Sequence, residues 1–316
     1  MEAYPLTVMD LEKQFSTEEA CRNYLFRLRW PNGFVCPRCQ TPGGWSASRE
    51  RLICQTCRYQ ASVTAGTIFQ DTHKPLTMWF RAVWHVTSRK NGASAMSLQH
   101  ELGLGSYKTA WTWLHKLRRA MVRPGRDRLS GTVEVDETYW GAEEEGKIGR
   151  QTEHKALIAV AVEYAGKKIG RIRMRRIPSA DRDCLHGFIK EMIEPGSTVC
   201  TDGWPAYLSM DGYVHDRQVQ RHQDEGEHLL PRVHQVVSLL KRWLLGTHQG
   251  GIGHDYLDYY LDEFTFRFNR RTSRSRGKLF YRLLQQVVQV DPVPYRCIVG
   301  GKDDTTPSGD NEMPPF

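Results

Sequence analysis

The chain has 316 residues, which is enough for two or three domains and at least one large core. Hydrophobic residues make up 40% of it and charged residues 25%, as in an ordinary globular protein. The first ten residues lack a basic region followed by an apolar run, and the longest aliphatic stretch, residues 156–162, is too short to cross a bilayer. These features argue against an exported or membrane protein, and we expect a soluble, cytoplasmic one.

The net charge of +8 is unevenly distributed along the chain. Residues 1–130 contain 19 Lys and Arg against 9 Asp and Glu, whereas residues 131–316 are close to balance. An excess of positive charge in the first part favours nucleic acid as its partner, although many soluble proteins are mildly basic.

Two Cys-X2-Cys pairs lie in residues 31–72, after an N-terminal helical segment expected in residues 1–30. Each pair predicts a tight knuckle, and two knuckles separated by fourteen residues complete a tetrahedral Zn²⁺ site. Nothing similar to thioredoxin surrounds the pairs, so structural zinc in a zinc ribbon is favoured over a redox role. The predicted zinc ligands are Cys36, Cys39, Cys54 and Cys57.

Residues 75–122 have apolar side chains at helical spacing, and Gly103 separates a short helix from a second one that starts near Ser106. This pattern favours a helix-turn-helix whose second helix enters the DNA major groove, and a plain helical hairpin with a solvated face is the alternative. Residues 122–131, basic and containing Pro and Gly, predict a linker and a domain boundary. The basic side chains expected on the outer face of the second helix are Lys108, Lys116 and Arg119.

A segment at residues 133–137 alternates like a β-strand but carries three carboxylates. Val133 and Val135 point to one face, and Glu134 and Asp136 point to the other. A solvated sheet edge would explain this charge, and so would a site that binds cations.

The segments that follow bear on this choice. They predict two strands, a helix and a fourth strand, at residues 156–164, 168–177, 181–193 and 197–202. If the fourth strand runs parallel to the first, Asp136 and Asp202 meet at one rim of the sheet. Two carboxylates at such a rim repel each other unless a hard cation lies between them, so the pair predicts Mg²⁺ or Mn²⁺.

A helix is predicted in residues 230–250, and His234 and Lys241 project from one face of it because they are two turns apart. A metal ligand and a phosphate-binding cation would suit DNA cleavage, whereas a surface histidine and a solvated lysine are the alternatives. Further on, residues 267–278 hold six Lys and Arg, including Arg270 and Arg271. They fit contacts with backbone phosphates, with a solvated charge run as the alternative.

Four motifs carry a family resemblance. They are VDETYWG, TDGWPAY, the pattern His-X6-Lys-Arg-Trp-Leu-X-Gly-Thr-His and YLDEFTFRFNRR, in this order after a two-knuckle zinc ribbon. Together they resemble bacterial insertion-sequence transposases of the zinc-ribbon, ISXO-type group. The resemblance implies an α/β catalytic domain in residues 131–290 with the RNase H-like mixed sheet, flanked by helices, of the DDE superfamily. Residues 291–316 are expected to form a disordered tail.

The resemblance also implies a site and a reaction. Asp136 and Asp202 match the two catalytic aspartates of the family, His234 stands where the superfamily usually has Glu, and Lys241 matches the lysine seven residues further on. The implied reaction is metal-dependent cutting of element ends and joining of the freed 3′-hydroxyl to target DNA, performed by a homodimer on double-stranded DNA.

The third metal ligand and the catalytic role each stay open to a second interpretation. If His234 is a surface residue, the third ligand could be Glu225, Glu227 or Glu263, while Glu134 and Glu137 are expected beside the metal or facing solvent. A non-catalytic regulator descended from a transposase would keep the zinc ribbon and the helix-turn-helix but has no need for both aspartates. A general nuclease would not need the specialised first half.

Overall fold

The structure is a computed structural model that describes residues 4–47, 50–123, 125–141, 155–219 and 229–299. Its α-helices are α1 (Val8–Gln14), α2 (Glu18–Arg29), α3 (Leu76–Ser88), α4 (Ala95–Leu102), α5 (Tyr107–Ala120), α6 (Arg182–Met192), α7 (Pro231–His248), α8 (Leu257–Phe268), α9 (Arg276–Val287) and α10 (Tyr295–Val299). Its strands are β1 (Gly44–Ala47), β2 (Arg51–Cys54), β3 (Gln60–Ala61), β4 (Thr132–Trp140), β5 (Ala156–Ala165), β6 (Lys168–Ile177), β7 (Thr198–Thr201) and β8 (Val214–Arg217). None of the helices in these ranges has the length and apolarity needed to cross a membrane.

The N-terminal half is a helical unit that carries a small antiparallel sheet in the order β1-β2-β3. Helix α3 begins at Pro75, which offers no side-chain cap, and Glu18 of α2 supplies one instead. Its carboxylate accepts from the backbone N–H groups of Leu76 and Thr77 at 2.9 and 2.8 Å. A carboxylate at a helix N-terminus is favourable because it satisfies free donors and faces the positive end of the helix dipole. This contact fixes the angle between α2 and α3.

The helix, glycine turn and helix predicted around Gly103 are observed as α4 and α5. Gly103 ends α4 with a φ of +59°, a left-handed conformation that glycine adopts without steric cost. The side chain of Ser106 then accepts from the N–H of Lys108 and starts α5. Trp113 of α5 stacks on Trp79 of α3 with ring centroids 3.7 Å apart. The helix also packs against α8 and α9, so it is covered on more than one side.

A five-stranded sheet forms the second half, in the order β6-β5-β4-β7-β8. The three strands β4, β5 and β6 are antiparallel neighbours, whereas β7 and β8 run parallel to β4. Helix α6 covers one face, and α7 and α8 cover the other. This strand order, with helices on both faces, is the RNase H-like arrangement, so the predicted α/β fold is confirmed.

The two halves share more structure than the predicted boundaries imply. Helix α9, which the sequence placed in the catalytic domain of residues 131–290, packs its buried face into the N-terminal core. Its Phe280 lies 5.8 Å from the rings of both Phe15 and Phe80. An amphipathic helix packs on an apolar surface that other elements leave uncovered, and here that surface belongs chiefly to α3, with α2, α5 and Phe15 beside it.

The first part of the predicted disordered tail is ordered. Residues 291–299 include α10, whose Ile298 is only 1% exposed and whose Tyr295 ring lies 4.4 Å below the Lys108 ammonium. The short segment is ordered because it packs against α5. The remainder of the predicted tail, residues 300–316, lies outside the described residues.

Candidate functional site

The four predicted zinc ligands converge. Their sulfur atoms all lie within 4.8 Å of one another, with Cys36 to Cys57 and Cys39 to Cys54 both at 3.6 Å. A tetrahedron with Zn–S bonds of about 2.3 Å has edges of about 3.8 Å, so the observed spacing fits one Zn²⁺. Two of the four side chains are buried and two are half-buried, as expected for a closed structural site. In the described parts of the chain this is the only group of three or more potential ligands at such distances.

Parallel pairing of β4 with β7 brings the two predicted aspartates to the same rim. Glu134 is the register partner of Cys200, and Asp136 and Asp202 each follow two residues later. Asp136 Oδ1 accepts from the N–H of Glu137 at 2.8 Å, and Asp202 Oδ1 accepts from the N–H of Trp204 at 3.0 Å. The two carboxylates therefore lie at equivalent heights on neighbouring strands, with one oxygen of each held by the backbone.

Tyr207 is a residue of this rim that the sequence reasoning missed. It is fully buried, and its hydroxyl donates to Glu137 Oε2 at 2.6 Å. Burial raises its pKa well above the ordinary value, and the negative charges of Glu137, Asp136 and Asp202 raise it further. Glu137, expected beside a metal or in solvent, is thus engaged by a tyrosine. Tyr207 closes the TDGWPAY motif, which was the only signal for it in the sequence.

Glu134 shares a strand face with Asp136 but does not face solvent. Its side chain is 0% exposed, and its Oε2 accepts from the N–H groups of Arg232 and Val233, both at 2.9 Å. Its Oε1 accepts from the Tyr164 hydroxyl at 2.9 Å and from the Arg232 guanidinium at 3.2 Å. Helix α7 has no side-chain cap of its own, so Glu134 caps it from β4. The expectation that Glu134 faces solvent is wrong, because its buried carboxylate anchors α7.

This anchor places the first turn of α7 over the face of β4 that carries Asp136. His234 follows Val233 directly and is exposed, and Lys241 is half-buried two turns further along the helix. The ligand atoms of Asp136, Asp202 and His234 do not all come within 4.8 Å of one another. The two aspartates share one rim and α7 lies against their face of the sheet, but the three side chains do not form a closed cluster.

Glu263, which the sequence allowed as a third metal ligand, is occupied elsewhere. It is 0% exposed and forms ion pairs with Arg118 of α5 and Arg267 of α8, both at 2.8 Å. Burial alone would raise its pKa, but the two guanidinium groups outweigh this effect and hold the pKa at about 2. Glu263 joins α5 of the N-terminal half to α8 instead of facing the rim. Glu225 and Glu227 lie outside the described residues.

The three basic residues predicted on α5 differ in accessibility. Lys108 is exposed, whereas Lys116 and Arg119 are half-buried. Burial lowers the pKa of Lys116. The outer face of α5 is therefore narrower than the sequence predicted, because α8, α9 and α10 pack beside it. Lys108, near the start of the helix, is the most open of the three.

Arg270 and Arg271 both contact protein groups. Arg271 donates to the backbone carbonyls of Ile169 and Gly170 and stacks over Phe268, which ties the end of α8 to β6. Arg270 donates to the Phe266 carbonyl at 3.2 Å and faces a cavity.

Comparisons with known proteins agree with this architecture. Residues 128–269 match the model of the ISXO2-like transposase domain, and residues 16–60 match the model of the transposase zinc-ribbon domain. An uncharacterized protein in transposable element ISH50 of Halobacterium salinarum is 29% identical over 289 residues, which cover 84% of this chain and 95% of that protein.

Among solved structures, the catalytic core domain of BIV integrase is 16% identical with a TM-score of 0.32, covering 47% of this chain and 89% of that chain. The Mos1 strand transfer complex is 10% identical with a TM-score of 0.26, covering 70% and 78% of the respective chains. Scores this low carry no argument, and the fold rests on the strand order. The two family models together cover more than half of the chain, which therefore belongs to the insertion-sequence transposases that join a zinc ribbon to an ISXO2-like transposase domain.

Proposed function

We propose that the chain binds the terminal inverted repeats of an insertion sequence and catalyses metal-dependent cleavage and transfer of DNA strands. The observation that carries this proposal is the parallel register of β4 and β7, which sets Asp136 and Asp202 side by side at one rim. Two carboxylates at one sheet rim repel each other, and a divalent cation bound by both would offset this repulsion.

The rim would hold Mg²⁺ or Mn²⁺ through the carboxylate oxygens of Asp136 and Asp202, with His234 supplying a nitrogen ligand. Such cations activate the attacking oxygen and stabilise the leaving oxygen of an in-line phosphodiester displacement. In this proposal Asp136 and Asp202 position the reacting centre, and Lys241 binds a DNA phosphate from the same helix face. Imidazole nitrogen favours transition metals more than a carboxylate does, so we expect Mn²⁺ to support the reaction at least as well as Mg²⁺.

Helix α7 must be fixed for this site to work, since both His234 and Lys241 lie on it. The buried carboxylate of Glu134 supports the proposal because it binds the first turn of α7 to the strand that carries Asp136.

Recognition of the element ends is assigned to the N-terminal half. A zinc ribbon, the α4–α5 pair and the charge excess of residues 1–130 support contact with double-stranded DNA there. Two ends must be joined in one reaction, so we propose a homodimer assembled on DNA in the bacterial cytoplasm.

The test is incubation of the purified chain with labelled element-end DNA and Mg²⁺ or Mn²⁺, scoring nicks at the end and joined products. We expect Asp136→Asn to abolish both products while retaining end binding. Asp183→Asn, the same change at an exposed carboxylate of α6, is the matched control and should cut as the wild type does. End binding without any cleavage by the wild type would favour a non-catalytic regulator.

A further inference from the structure

A cavity of about 690 Å³ opens where the two halves of the chain meet, and it is strongly basic. It lies between the segment after α5, the edge strand β6, the end of α8 and helix α9. Among the described residues that line it, one acid, Asp127, faces six arginines: Arg123, Arg126, Arg171, Arg173, Arg270 and Arg282.

Three of these arginines have no carboxylate within 4.0 Å in the described ranges: Arg126, Arg173 and Arg270. Arg173 is 5% exposed and donates only to the backbone carbonyls of Ile172 and Asp127, at 2.9 and 2.6 Å. Arg126 contacts the sulfur of Met192 at 3.6 Å. Neutral carbonyls and a thioether solvate a guanidinium but do not cancel its charge. Carboxylates act on these two arginines only from beyond 4.0 Å, Asp262 and Glu191 on Arg126, and Glu163 and Asp127 on Arg173.

Burial and mutual repulsion disfavour the charged forms of these arginines, which lowers the pKa of two of them. Burial lowers the pKa of Arg173 to about 10, and the charges of Arg126 and Arg171 lower it further. Burial also lowers the pKa of Arg270 to about 10, with added repulsion from Arg282 and Arg123. The guanidinium groups of Arg173 and Arg270 nevertheless stay positive at neutral pH. Like charges gathered in a partly buried cavity are unfavourable unless an anion joins them.

Two buried polar atoms in the same cavity lack hydrogen-bond partners. Thr265 Oγ1 and Gln286 Oε1 belong to side chains that are 5% and 7% exposed, and neither atom is paired within the described structure. Buried polar groups are nearly always satisfied, so two such atoms lining one cavity point to a missing polar ligand. The threonine hydroxyl can donate to an oxyanion, and the glutamine can do so when its amide is turned by 180°.

The cavity is separate from the aspartate rim. Arg173 on β6 is the register partner of Ala161 on β5, which in turn pairs with Val135 on β4. The backbone of Arg173 therefore lies two strands, or about 10 Å, away from β4. Its side chain leaves the sheet on the face of Val135, opposite to that of Asp136.

We propose that this cavity is a binding site for a backbone phosphate of DNA, held by Arg126, Arg173 and Arg270 together with Thr265 and Gln286. Guanidinium forks match phosphate oxygens in geometry and charge. Because the cavity is lined by both halves, one phosphate bound there would fix the N-terminal half against the catalytic half on the same DNA. This inference rests on the proposed function, because it takes DNA as the source of the phosphate.

The test is a salt series of duplex DNA binding without added divalent cation, which removes catalysis from the readout. The double variant Arg126→Gln/Arg270→Gln is compared with Arg176→Gln, a β6 arginine that pairs with Asp258 instead. The slope of log K against log salt should become shallower by about 0.9 for each lost phosphate contact in the double variant. The control should keep the slope of the wild type. An unchanged slope in a folded double variant would overturn the proposal.

Inorganic phosphate provides a second measurement that needs no DNA. At equal ionic strength, phosphate should raise the melting temperature of the wild type above its value in chloride, because a ligand bound only by the folded state stabilises it. The double variant should lose this gain while melting in chloride as the wild type does. If it does not fold, Arg126→Gln alone replaces it. Phosphate stabilisation without any change in DNA binding would overturn the assignment to DNA. Neither readout depends on whether Asp136 and Asp202 catalyse cleavage.

Discussion

The zinc-ribbon cysteines and the proposed metal ligands of the rim are assembled in different ways. The four cysteines of the zinc ribbon come from two knuckles, and their sulfur atoms lie within 4.8 Å of one another. Asp136 and Asp202 come from strands 66 residues apart in sequence and share a rim, but they form no such cluster with His234. A structural site is closed by its local backbone, whereas the rim is open, as the proposed binding of a cation and DNA requires.

The acidic groups show the same contrast. Glu263 is buried between two arginines, so its charge is compensated within the fold. Asp136 and Asp202 are half-buried at the rim, and each is held by a backbone N–H of its own loop or strand. Substitution can therefore compare the charge of Glu263, which is paired within the fold, with the charge of the two rim aspartates.

The largest effect is expected at the zinc ribbon. Cys54→Ser removes one of four thiolates from a closed site, so bound zinc should fall from one per chain to none, and the N-terminal half should lose DNA binding. Metal analysis of purified protein checks this. Cys297→Ser, at an exposed cysteine of α10, is the matched control and should keep its zinc. Full zinc occupancy in Cys54→Ser would contradict the assignment of the four cysteines to one closed zinc site.

The next effect concerns Glu263. Replacing it with Gln leaves Arg118, which is 1% exposed, without a counter-charge and should destabilise the chain by about 3–5 kcal/mol. Asp136→Asn removes one of two repelling carboxylates and should leave stability unchanged or higher. Denaturant unfolding of both variants, beside the exposed-site control Glu101→Gln, tests the difference. Equal losses in Glu263→Gln and Asp136→Asn would mean that the rim carboxylates are structural too.

Acid unfolding also tests the contribution of the Glu263 carboxylate to stability. The folded-state pKa of Glu263, about 2, lies below the unfolded value of about 4.3. Its contribution to stability is therefore fully present above pH 4.3 and is lost as the pH falls towards 2. The wild type should lose more stability over this window than Glu263→Gln does. If both proteins lost the same stability over this pH window, the stabilising role of the Glu263 carboxylate would be contradicted.

A smaller effect is expected at Glu134. Glu134→Gln weakens the cap of α7 and should cost about 1–2 kcal/mol, since it replaces hydrogen bonds to a charged group with neutral ones. If Glu134 positions α7, the variant should also need more Mn²⁺ for half-maximal cleavage while DNA binding is retained. Tyr164→Phe, which removes one bond to the same carboxylate, should shift the Mn²⁺ requirement less. A stability loss with an unchanged Mn²⁺ requirement would limit Glu134 to a structural role.

The smallest effect is expected on α5. Charge reversal at Lys108 and Lys116 should weaken binding to element ends more than to random DNA, because a recognition helix contacts both bases and phosphates. Lys13→Glu on α1 serves as the control. Equal losses on both DNAs would mean that these lysines act only through the phosphates. Helix α5 would then be a packing helix that does not recognise bases.

Local features of the site were predictable from sequence because short-range rules determine them. The knuckles follow from cysteine spacing, and the shared face of Glu134 and Asp136 follows from strand alternation. Parallel pairing of β7 with β4 was also predicted, since a crossover through α6 returns the chain in the same direction.

Long-range packing was not predictable in this way. Glu134 caps a helix that begins almost a hundred residues later, and nothing near it in the sequence signals that partner. Helix α9 packs into the N-terminal core because its apolar face matches a surface formed chiefly by α3, which one-dimensional spacing cannot reveal. Arg271, which lies in a basic run, donates to backbone carbonyls of β6. Sequence spacing alone does not distinguish an arginine that binds phosphate from one that binds the protein's own backbone.

Direct titration of Mn²⁺ into the zinc-loaded protein, followed by the paramagnetic resonance of free Mn²⁺, tests the central claim that Asp136 and Asp202 form one cation site. The account predicts that the wild type binds Mn²⁺, that Asp136→Asn and Asp202→Asn each weaken binding by a similar factor, and that His234→Ala weakens it less. Asp183→Asn should bind as the wild type does. Equal Mn²⁺ affinity in the wild type and both rim variants would contradict the claim.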